Sequence, residues 1–404
     1  MRFQITLPLN NFQKQTLRLF ILTILLVVNN ASYSQNIKIG LYRNFELRTL
    51  IFKVQEGSYT ITNQDSLNVE MNASDVLFVT ALGQKLSLWN SAQHLGIHES
   101  IKITTKNSQN KMSIEPAYPV LPTQKYYGNF EITIDTANRM TATNTVPLKE
   151  YLAGVIEAES GTRALPEYYK AQAIICRTYV LNHLDRHKQE NFQICDEVHC
   201  QVYKGFGIEH GPILKAVEET KGQAIIDNQG MLITAAFHAN SGGETANSED
   251  VWSTTMSYLR SKSDPYFEKH RHSHWTVTIS LDEWTEFLQK MNLDTTNKTK
   301  IKFIQKKRTK FYLLNDQPIL LSDIRSHFKL KSTLFSIEKS ENKIIFNGRG
   351  YGHGVGLSQE SAMEMARRGK SYQEIINFFY TDIKIIDIYQ TTYLQALFPE
   401  EEPQ

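Results

Sequence analysis

The 404-residue chain has little net charge and few cysteines, and its one N-terminal apolar run is short. Its 44 basic and 42 acidic residues leave a net charge of +2, which gives no electrostatic reason to expect a nucleic-acid partner. The apolar run, residues 19–28, is short for a membrane-spanning helix. Aromatic residues are plentiful, with 19 Tyr and 20 Phe, as in proteins that stack on sugar rings, although hydrophobic cores use the same residues.

The N-terminus has the pattern of a secretory signal. Arg2 and Arg18 precede the apolar run, and the small residues Ala31 and Ser34 follow it. We therefore predict a signal peptide over residues 1–34 and an exported protein, located in the periplasm or cell envelope. No cysteine follows the run, which excludes a lipid anchor on such a residue. An uncleaved N-terminal membrane anchor remains the alternative.

The hydrophobic pattern predicts an α+β fold. In residues 35–123, short β-branched runs alternate with turn residues, which indicates a β-rich N-terminal domain. Residues 124–390 mix helical and strand patterns, and we expect a helix and a Gly-rich loop there to form a cleft. The Lys-rich stretch 281–342 is a candidate subdomain, with a helix capped at Ser322, and 391–404 form a tail.

A helix over residues 147–161, opened by Pro147 and capped by Thr145, carries the main candidate catalytic residue. Glu159 lies on its apolar stripe, four residues after Val155. Partial burial there would raise the pKa of the carboxyl group, as a general acid requires. Glu157 falls on the opposite side and is expected to face water.

A second helix begins at Pro166 and has two apolar faces. Arg177 and Tyr179 on this helix are candidates to approach Glu159 and the substrate. A surface arginine and a core tyrosine are an equally good interpretation. Cys176, on an apolar stripe, is expected to be a small buried hydrophobic residue.

Two cysteines and two histidines follow this helix. Cys195 and Cys200, with His199 between them and His187 upstream, offer sulfur and imidazole ligands that suit tetrahedral Zn²⁺. A Cys195–Cys200 disulfide is the alternative in an oxidising compartment, and plain reduced thiols are a third.

A polar segment, AFHANSGGETANSEDVW, gathers candidate ligand contacts around a Gly-Gly pair that permits a tight turn. These are His238, Ser241, Glu244 and Thr245. A catalytic triad or a metal site is conceivable from the residue types, but the spacing matches no nucleophile elbow and no zincin helix. Ligand positioning is the favoured interpretation.

A second polar segment, NGRGYGHGVGLSQ, has glycines at alternate positions from 350 to 356, which excludes an ordinary helix or strand. We predict an irregular loop that ends at a helix over residues 358–368 and forms the opposite wall of the cleft. His353, Ser358 and Gln359 are its candidate ligand contacts. A structural histidine satisfied within the loop is the alternative for His353. Neither the Walker nor the dinucleotide-binding pattern is present.

Five motifs, EYLAGVIEAESG, KAQAIICRTY, CDEVHCQVY, AFHANSGGET and GRGYGHGVGLSQ, together resemble the SpoIID/LytB family of bacterial cell-wall proteins. The resemblance covers roughly Lys125 to Tyr389. It implies a peptidoglycan lytic transglycosylase that cuts the MurNAc–GlcNAc bond and leaves a 1,6-anhydro-MurNAc end. Its catalytic acid falls on Glu159.

The resemblance also implies a zinc site at Cys195, His199 and Cys200, with His187 as the fourth ligand. One difference is local: many relatives have Met-Pro after the catalytic glutamate, whereas this chain has Ser160-Gly161. Expected partners are peptidoglycan glycan strands and other cell-wall hydrolases. Two alternatives remain, a non-catalytic wall-binding protein or amidase modifier, and a metallohydrolase using His238, Glu244 and His353.

Overall fold

A computed structural model describes residues 35–207, 211–293 and 301–390. The sequence-predicted signal peptide and C-terminal tail lie outside these residues. Helices and many strands occur together, which confirms the α+β class. None of the described helices combines the length and apolar composition that a membrane span requires.

The N-terminal part consists of strands, as the alternating pattern predicts. Nine strands precede residue 120: β1 (Asn36–Leu41), β2 (Thr49–Glu56), β3 (Tyr59–Thr62), β4 (Asn68–Met71), β5 (Val76–Leu82), β6 (Lys85–Asn90), β7 (His94–His98), β8 (Ser100–Thr104) and β9 (Lys111–Tyr118).

Helices enter the fold after residue 147. The next elements are β10 (Gln124–Tyr127), β11 (Asn129–Ile134), β12 (Met140–Pro147), α1 (Leu148–Ser160), α2 (Pro166–Leu181), a 3-10 turn (Lys188–Glu190) and β13 (Ile194–Cys195). Pro166 opens α2 as predicted. The predicted cap at Thr145 is wrong, because Thr145 pairs with Asn129 in the sheet and α1 follows Pro147 directly.

Two large sheets organise the molecule. A seven-stranded sheet has the order β13-β1-β12-β11-β8-β3-β4, and a six-stranded sheet the order β10-β9-β2-β5-β6-β7. Strand β13 pairs with β1 in parallel, with Gly40 opposite Cys195. Residue 123 is the predicted end of the N-terminal domain, and strands from both sides of it share this sheet. The domain boundaries remain predictions.

The C-terminal half alternates short helices and strands. Its elements are α3 (Gly211–Glu219), β14 (Gln223–Asp227), β15 (Phe237–His238), α4 (Ser248–Trp252), β16 (His274–Ser280), α5 (Leu281–Lys290), β17 (Lys302–Phe303), β18 (Phe311–Leu314), β19 (Gln317–Leu320), α6 (Leu321–His327), β20 (Phe335–Ser340), β21 (Lys343–Arg349), β22 (Leu357–Ser358), α7 (Gln359–Arg367), α8 (Tyr372–Phe379), β23 (Ile383–Asp387) and a 3-10 turn (Ile388–Gln390).

In this half, β15 pairs with β22 in parallel, and β16, β21, β20 and β17 form an antiparallel sheet. The predicted cap at Ser322 is wrong, because α6 begins at Leu321 and the cap position is Leu320. The main hydrophobic core includes α1, α2 and both large sheets. A smaller core around Trp284, within residues 275–346, lies in the region of the candidate subdomain.

Candidate active site and metal centre

Helix α1 places Glu159 at the edge of a buried face. Val155 and Ile156 are fully buried, and Glu159, one turn later, is partly buried. Burial raises the pKa of the Glu159 carboxyl above its ordinary value. Two contacts oppose this effect: the backbone N–H of Val202 donates to Oε1 at 3.1 Å, and Lys204 adds positive charge nearby.

The segment that supplies these contacts lies directly against α1. A Cβ atom on Gly154 would lie 2.2 Å from the carbonyl oxygen of Gly205, so only glycine permits this approach. One helical turn earlier, the Tyr151 hydroxyl donates to Oε1 of Gln201 at 3.1 Å. The close packing brings the Val202 N–H within reach of Glu159.

Neutral groups line the inner side of Glu159. The Ser160 and Tyr168 hydroxyls are 2.6 Å apart, so Ser160 is anchored to α2. Burial raises the pKa of Tyr168 and of the Cys176 thiol, and the nearby charge of Glu159 raises both further. Both groups are therefore uncharged at neutral pH. Cys176 is fully buried, as expected for a hydrophobic position.

The prediction that Glu157 faces water is wrong. Its side chain is partly buried, and its Oε2 accepts a hydrogen bond from the Gly207 backbone N–H at 3.0 Å. A Cβ atom on Gly207 would lie 1.7 Å from the Glu157 carboxylate. Residues 202–207 thus cover the side of α1 that sequence periodicity assigns to solvent.

Arg177 and Tyr179 do not approach Glu159 in the way the sequence suggests. The buried Arg177 guanidinium donates to the carbonyl groups of Val217, Thr220 and Gln223, at 2.9 to 3.2 Å. These contacts fix the Arg177 guanidinium at the C-terminal end of α3. Tyr179 instead lies beside the cysteine-histidine segment, where its hydroxyl is 3.5 Å from the His199 carbonyl oxygen.

The structure brings all four predicted zinc ligands together. One ligand atom from each of His187, Cys195, His199 and Cys200 lies within 4.8 Å of the others. Nε2 of His187 is 3.4 Å from Sγ of Cys200, and Nδ1 of His199 is 3.8 Å from Sγ of Cys195. Such separations fit two sulfur and two nitrogen ligands around one tetrahedral ion. The sulfurs of Cys195 and Cys200 are not joined in a disulfide.

The contacts around this cluster also suit a metal site. Nδ1 of His187 lies 2.6 Å from a Glu190 carboxylate oxygen, which leaves Nε2 directed at the cluster. Arg43 holds Glu190 through two further hydrogen bonds. Carboxylates commonly orient metal-binding histidines in this manner. The hydrogen bond from Cys200 lowers the pKa of the Cys195 thiol, which favours the thiolate.

The two glycine-containing segments form one interlocked unit. His238 pairs with Ser358 in the β15–β22 ladder, and the Ser241 N–H donates to the Ser358 hydroxyl at 3.1 Å. The four glycines from 350 to 356 all have positive φ, which confirms the irregular loop. Ser241 also donates to Asp264 at 2.6 Å. Ser241 and Ser358 are fully buried, so their hydroxyls connect the loops and do not face a ligand.

Thr245 and Glu244 are likewise engaged by protein groups. The Thr245 hydroxyl accepts from the Lys262 N–H at 2.8 Å and is buried. The Glu244 carboxylate accepts from the Arg308 backbone N–H at 2.8 Å. These contacts position the segment after the Gly-Gly pair.

The two predicted histidines lie close together and are both neutral. Their ring centroids are 5.5 Å apart. His238 donates from Nδ1 to the Val355 carbonyl, and His353 accepts at Nδ1 from the Val355 N–H, each at 3.0 Å. Burial lowers the pKa of His353 to about 4 and that of His238 well below its ordinary value. Nε2 of His238 and Nε2 of the buried Gln359 have no partner among the described side chains and backbone.

Arg308 joins this unit and was missed by sequence reasoning. Its Nε and Nη2 donate to the carbonyls of Glu244 and Ser241, at 2.6 and 2.8 Å. A Cβ atom on Gly354 would lie 2.7 Å from the guanidinium, which explains a glycine there. Arg308 lies in a Lys-rich stretch, and no local sequence pattern indicates that it contacts residues 241–244.

Within the described ranges, no hydrogen bond or ion pair joins Glu159 to the loop at 350–358. The cleft between them therefore remains a prediction.

Comparisons with known proteins find the same family that the five sequence motifs resemble. A family model described as stage II sporulation protein matches residues 136–226, which hold Glu159 and the cysteine-histidine cluster. Stage II sporulation protein D of Bacillus amyloliquefaciens is 30% identical over 271 residues, covering 62% of this chain and 77% of that protein. The Bacillus subtilis protein of the same name is 29% identical over 280 residues, covering 64% and 80%.

A Bacillus subtilis amidase enhancer is 28% identical over 287 residues, which cover 57% of this chain and 39% of the enhancer. The identity and coverage of the sporulation proteins are sufficient to assign a family. The chain belongs to the stage II sporulation protein D (SpoIID) family.

Proposed function

We propose that the protein is a peptidoglycan lytic transglycosylase, in which Glu159 acts first as general acid and then as general base. The relatives named above, a sporulation protein and an amidase enhancer, support a role at the cell wall. The observation that carries the specific reaction is the partly buried Glu159, whose pKa is raised by burial on an apolar helix face.

The reaction needs only one carboxyl group. Protonated Glu159 gives its proton to the glycosidic oxygen as the bond to C1 of N-acetylmuramic acid breaks. The resulting carboxylate accepts the proton of the muramic C6 hydroxyl while that oxygen bonds to C1. The products are a free GlcNAc hydroxyl and a 1,6-anhydro-MurNAc end, and Glu159 is again protonated. No water is consumed, whereas hydrolytic glycosidases ordinarily use two carboxyl groups.

The Val202 N–H has a defined part in this cycle. It donates to Oε1 at 3.1 Å and favours the carboxylate that exists after the first proton transfer. Burial favours the protonated acid that exists before it. The two influences therefore act on the pKa in opposite directions, with burial the larger of the two.

A structural zinc ion belongs to the same proposal. His187, Cys195, His199 and Cys200 would hold it. The ion would link His187 to residues 195–200, which directly precede Val202. Export through the N-terminal signal, which puts the protein beside its substrate, is also part of the proposal.

Digestion of purified glycan strands tests the activity. Wild-type protein should produce anhydro-muramic ends detectable by mass spectrometry, and Glu159→Gln should produce none. Glu150→Gln is the matched control and should retain activity, since Glu150 lies on the same helix and its one hydrogen bond within the described part of the chain comes from Gln109. Reducing ends would indicate a hydrolase. Absence of products with retained glycan binding would favour the second candidate, a non-catalytic amidase modifier, which the similarity to the amidase enhancer supports.

A further inference from the structure

A small cavity lies where three segments meet, beside the loop that holds His353. Its walls come from residues 246–251, from His353, and from residues 308–333 of the Lys-rich stretch. Its volume is about 50 Å³. A cavity of this size is sufficient for a small group such as a carboxylate.

Positive charge dominates the lining. Arg308, Lys310 and Arg325 face the cavity, and Asp250 is the one acidic residue among its lining residues. Part of the Asp250 carboxylate is already bonded to the Asn247 amide at 3.1 Å. His353 adds no charge at neutral pH, because burial lowers its pKa to about 4. The lining therefore has an excess of two positive charges.

Neither guanidinium group forms an ion pair with a described carboxylate, although the charges of Glu244 and Asp250 lie near Arg308. Arg308 uses Nε and Nη2 on backbone carbonyls, and its Nη1 has one long contact of 3.4 Å to the Thr333 hydroxyl. Arg325 donates from Nε to the Leu330 carbonyl at 3.3 Å, and its two terminal nitrogens make no hydrogen bond to a described residue. Burial lowers the pKa of both groups, to about 10 for Arg308. Desolvated cations of this kind are stabilised when an anion binds.

We propose that this cavity binds a carboxylate group of the peptidoglycan substrate, with the terminal nitrogens of Arg325 as the main donors. A guanidinium fork matches the two oxygens of a carboxylate, and the cavity is large enough for that group. The identity of the substrate rests on the proposed function. The lactyl group of N-acetylmuramic acid ends in a free carboxylate where no stem peptide is attached. Where a stem peptide is attached, the lactyl carboxyl is an amide and the peptide supplies the carboxylates. N-acetylglucosamine has neither.

Binding can be measured without cleavage by NMR titration of the mature protein with monosaccharides. N-acetylmuramic acid should bind and N-acetylglucosamine should not, a comparison that needs no variant. Arg325→Gln should weaken binding about tenfold, the value of one charge-assisted hydrogen bond pair. Arg325→Lys should restore part of it. Lys343→Gln, which removes an exposed charge at the start of β21 that does not line the cavity, should bind as wild type.

The ligand series separates the two sources of the carboxylate. Muramyl dipeptide has its lactyl carboxylate converted to an amide and retains a peptide carboxylate. Binding of N-acetylmuramic acid alone assigns the lactyl group, and binding of muramyl dipeptide assigns the stem peptide. Equal binding of N-acetylglucosamine, binding of inorganic phosphate only, or an unchanged affinity in Arg325→Gln would overturn the proposal. A protein that binds but does not cleave would refute the transglycosylase and leave this site standing.

Discussion

The protonation of Glu159 depends on three neighbours whose effects have known signs. Burial of its carboxyl raises the pKa, while the Val202 N–H and the Lys204 ammonium lower it. Lys204 is exposed, so its effect is screened by salt. Each of these influences can be changed separately by substitution or by ionic strength.

Lys204→Gln should raise the pKa of Glu159 further, because a positive charge that favours the carboxylate is removed. In the proposed mechanism, the alkaline limb of the pH profile of kcat/KM reports loss of the acid form and should move to higher pH. Lys221→Gln, an exposed lysine elsewhere, is the control. A limb that stays in place or moves to lower pH would refute the assignment.

Glu159→Gln should stabilise the fold at neutral pH. The folded-state pKa is raised, so the native protein holds its proton more tightly than the unfolded chain does. Stability is therefore lost as pH rises from the unfolded pKa through the folded one, and a neutral amide removes that loss. Melting temperatures should differ more at pH 8 than at pH 4. A variant that melts below wild type at pH 8 would contradict this account.

The segment 195–207 connects the metal cluster to the catalytic helix. Cys195 belongs to the seven-stranded sheet, and Cys200 is the last ligand of the cluster. Val202 and Gly207 donate hydrogen bonds to Glu159 and Glu157 of α1. Because Cys200 is only two residues before Val202, a structural change at the cluster should alter the hydrogen bond from Val202 to Glu159.

Reduced protein should contain about one equivalent of zinc per chain. Cys200→Ser should lose the zinc and lower the melting temperature, because metal binding contributes to folding free energy. Cys176→Ser is the matched control, since Cys176 lies outside the cluster, and it should retain zinc. Elemental analysis that finds no zinc in the wild type, with a mapped Cys195–Cys200 disulfide, would contradict the metal site.

In the loop at residues 350–356, substitution of the glycine that packs on Arg308 should destabilise the fold. Gly354→Ala introduces a Cβ at φ +84° and 2.7 Å from the guanidinium, and should cost about 2 to 4 kcal/mol of unfolding free energy. Gly369→Ala has a similar φ of +78° with no atom within 4 Å, and should cost only about 1 kcal/mol. Urea unfolding measures both. Equal losses would show that the Arg308 contact is not important for stability.

Local sequence patterns predicted the helices and loops, but they could not predict contacts between residues that are far apart in the sequence. The apolar stripe located α1, and the spaced glycines located the irregular loop, because both signals lie within a few residues. Val202 meets Glu159 across 43 residues, and Arg308 meets Glu244 across 64, so no periodicity could indicate them. The error at Glu157 has the same origin, since residues 202–207 return to cover its face of the helix.

For the molecule as a whole, the SpoIID motifs lie on two groups of elements. Helix α1 and the cysteine-histidine cluster belong to one, and the interlocked loops around His353 and Arg308 belong to the other. In the proposed function, the first group performs the chemistry and the second binds the glycan. A substitution in the second group should then raise KM while the chemistry at Glu159 is retained.

The central claim, that Glu159 transfers a proton without water attack, is tested most directly by digestion of glycan strands in H₂¹⁸O. Mass spectrometry of the new ends should show anhydro-muramic products, each one water lighter than a reducing end and free of ¹⁸O. Incorporation of one ¹⁸O atom at each cut would show that water attacks the sugar, and the transglycosylase account would be wrong.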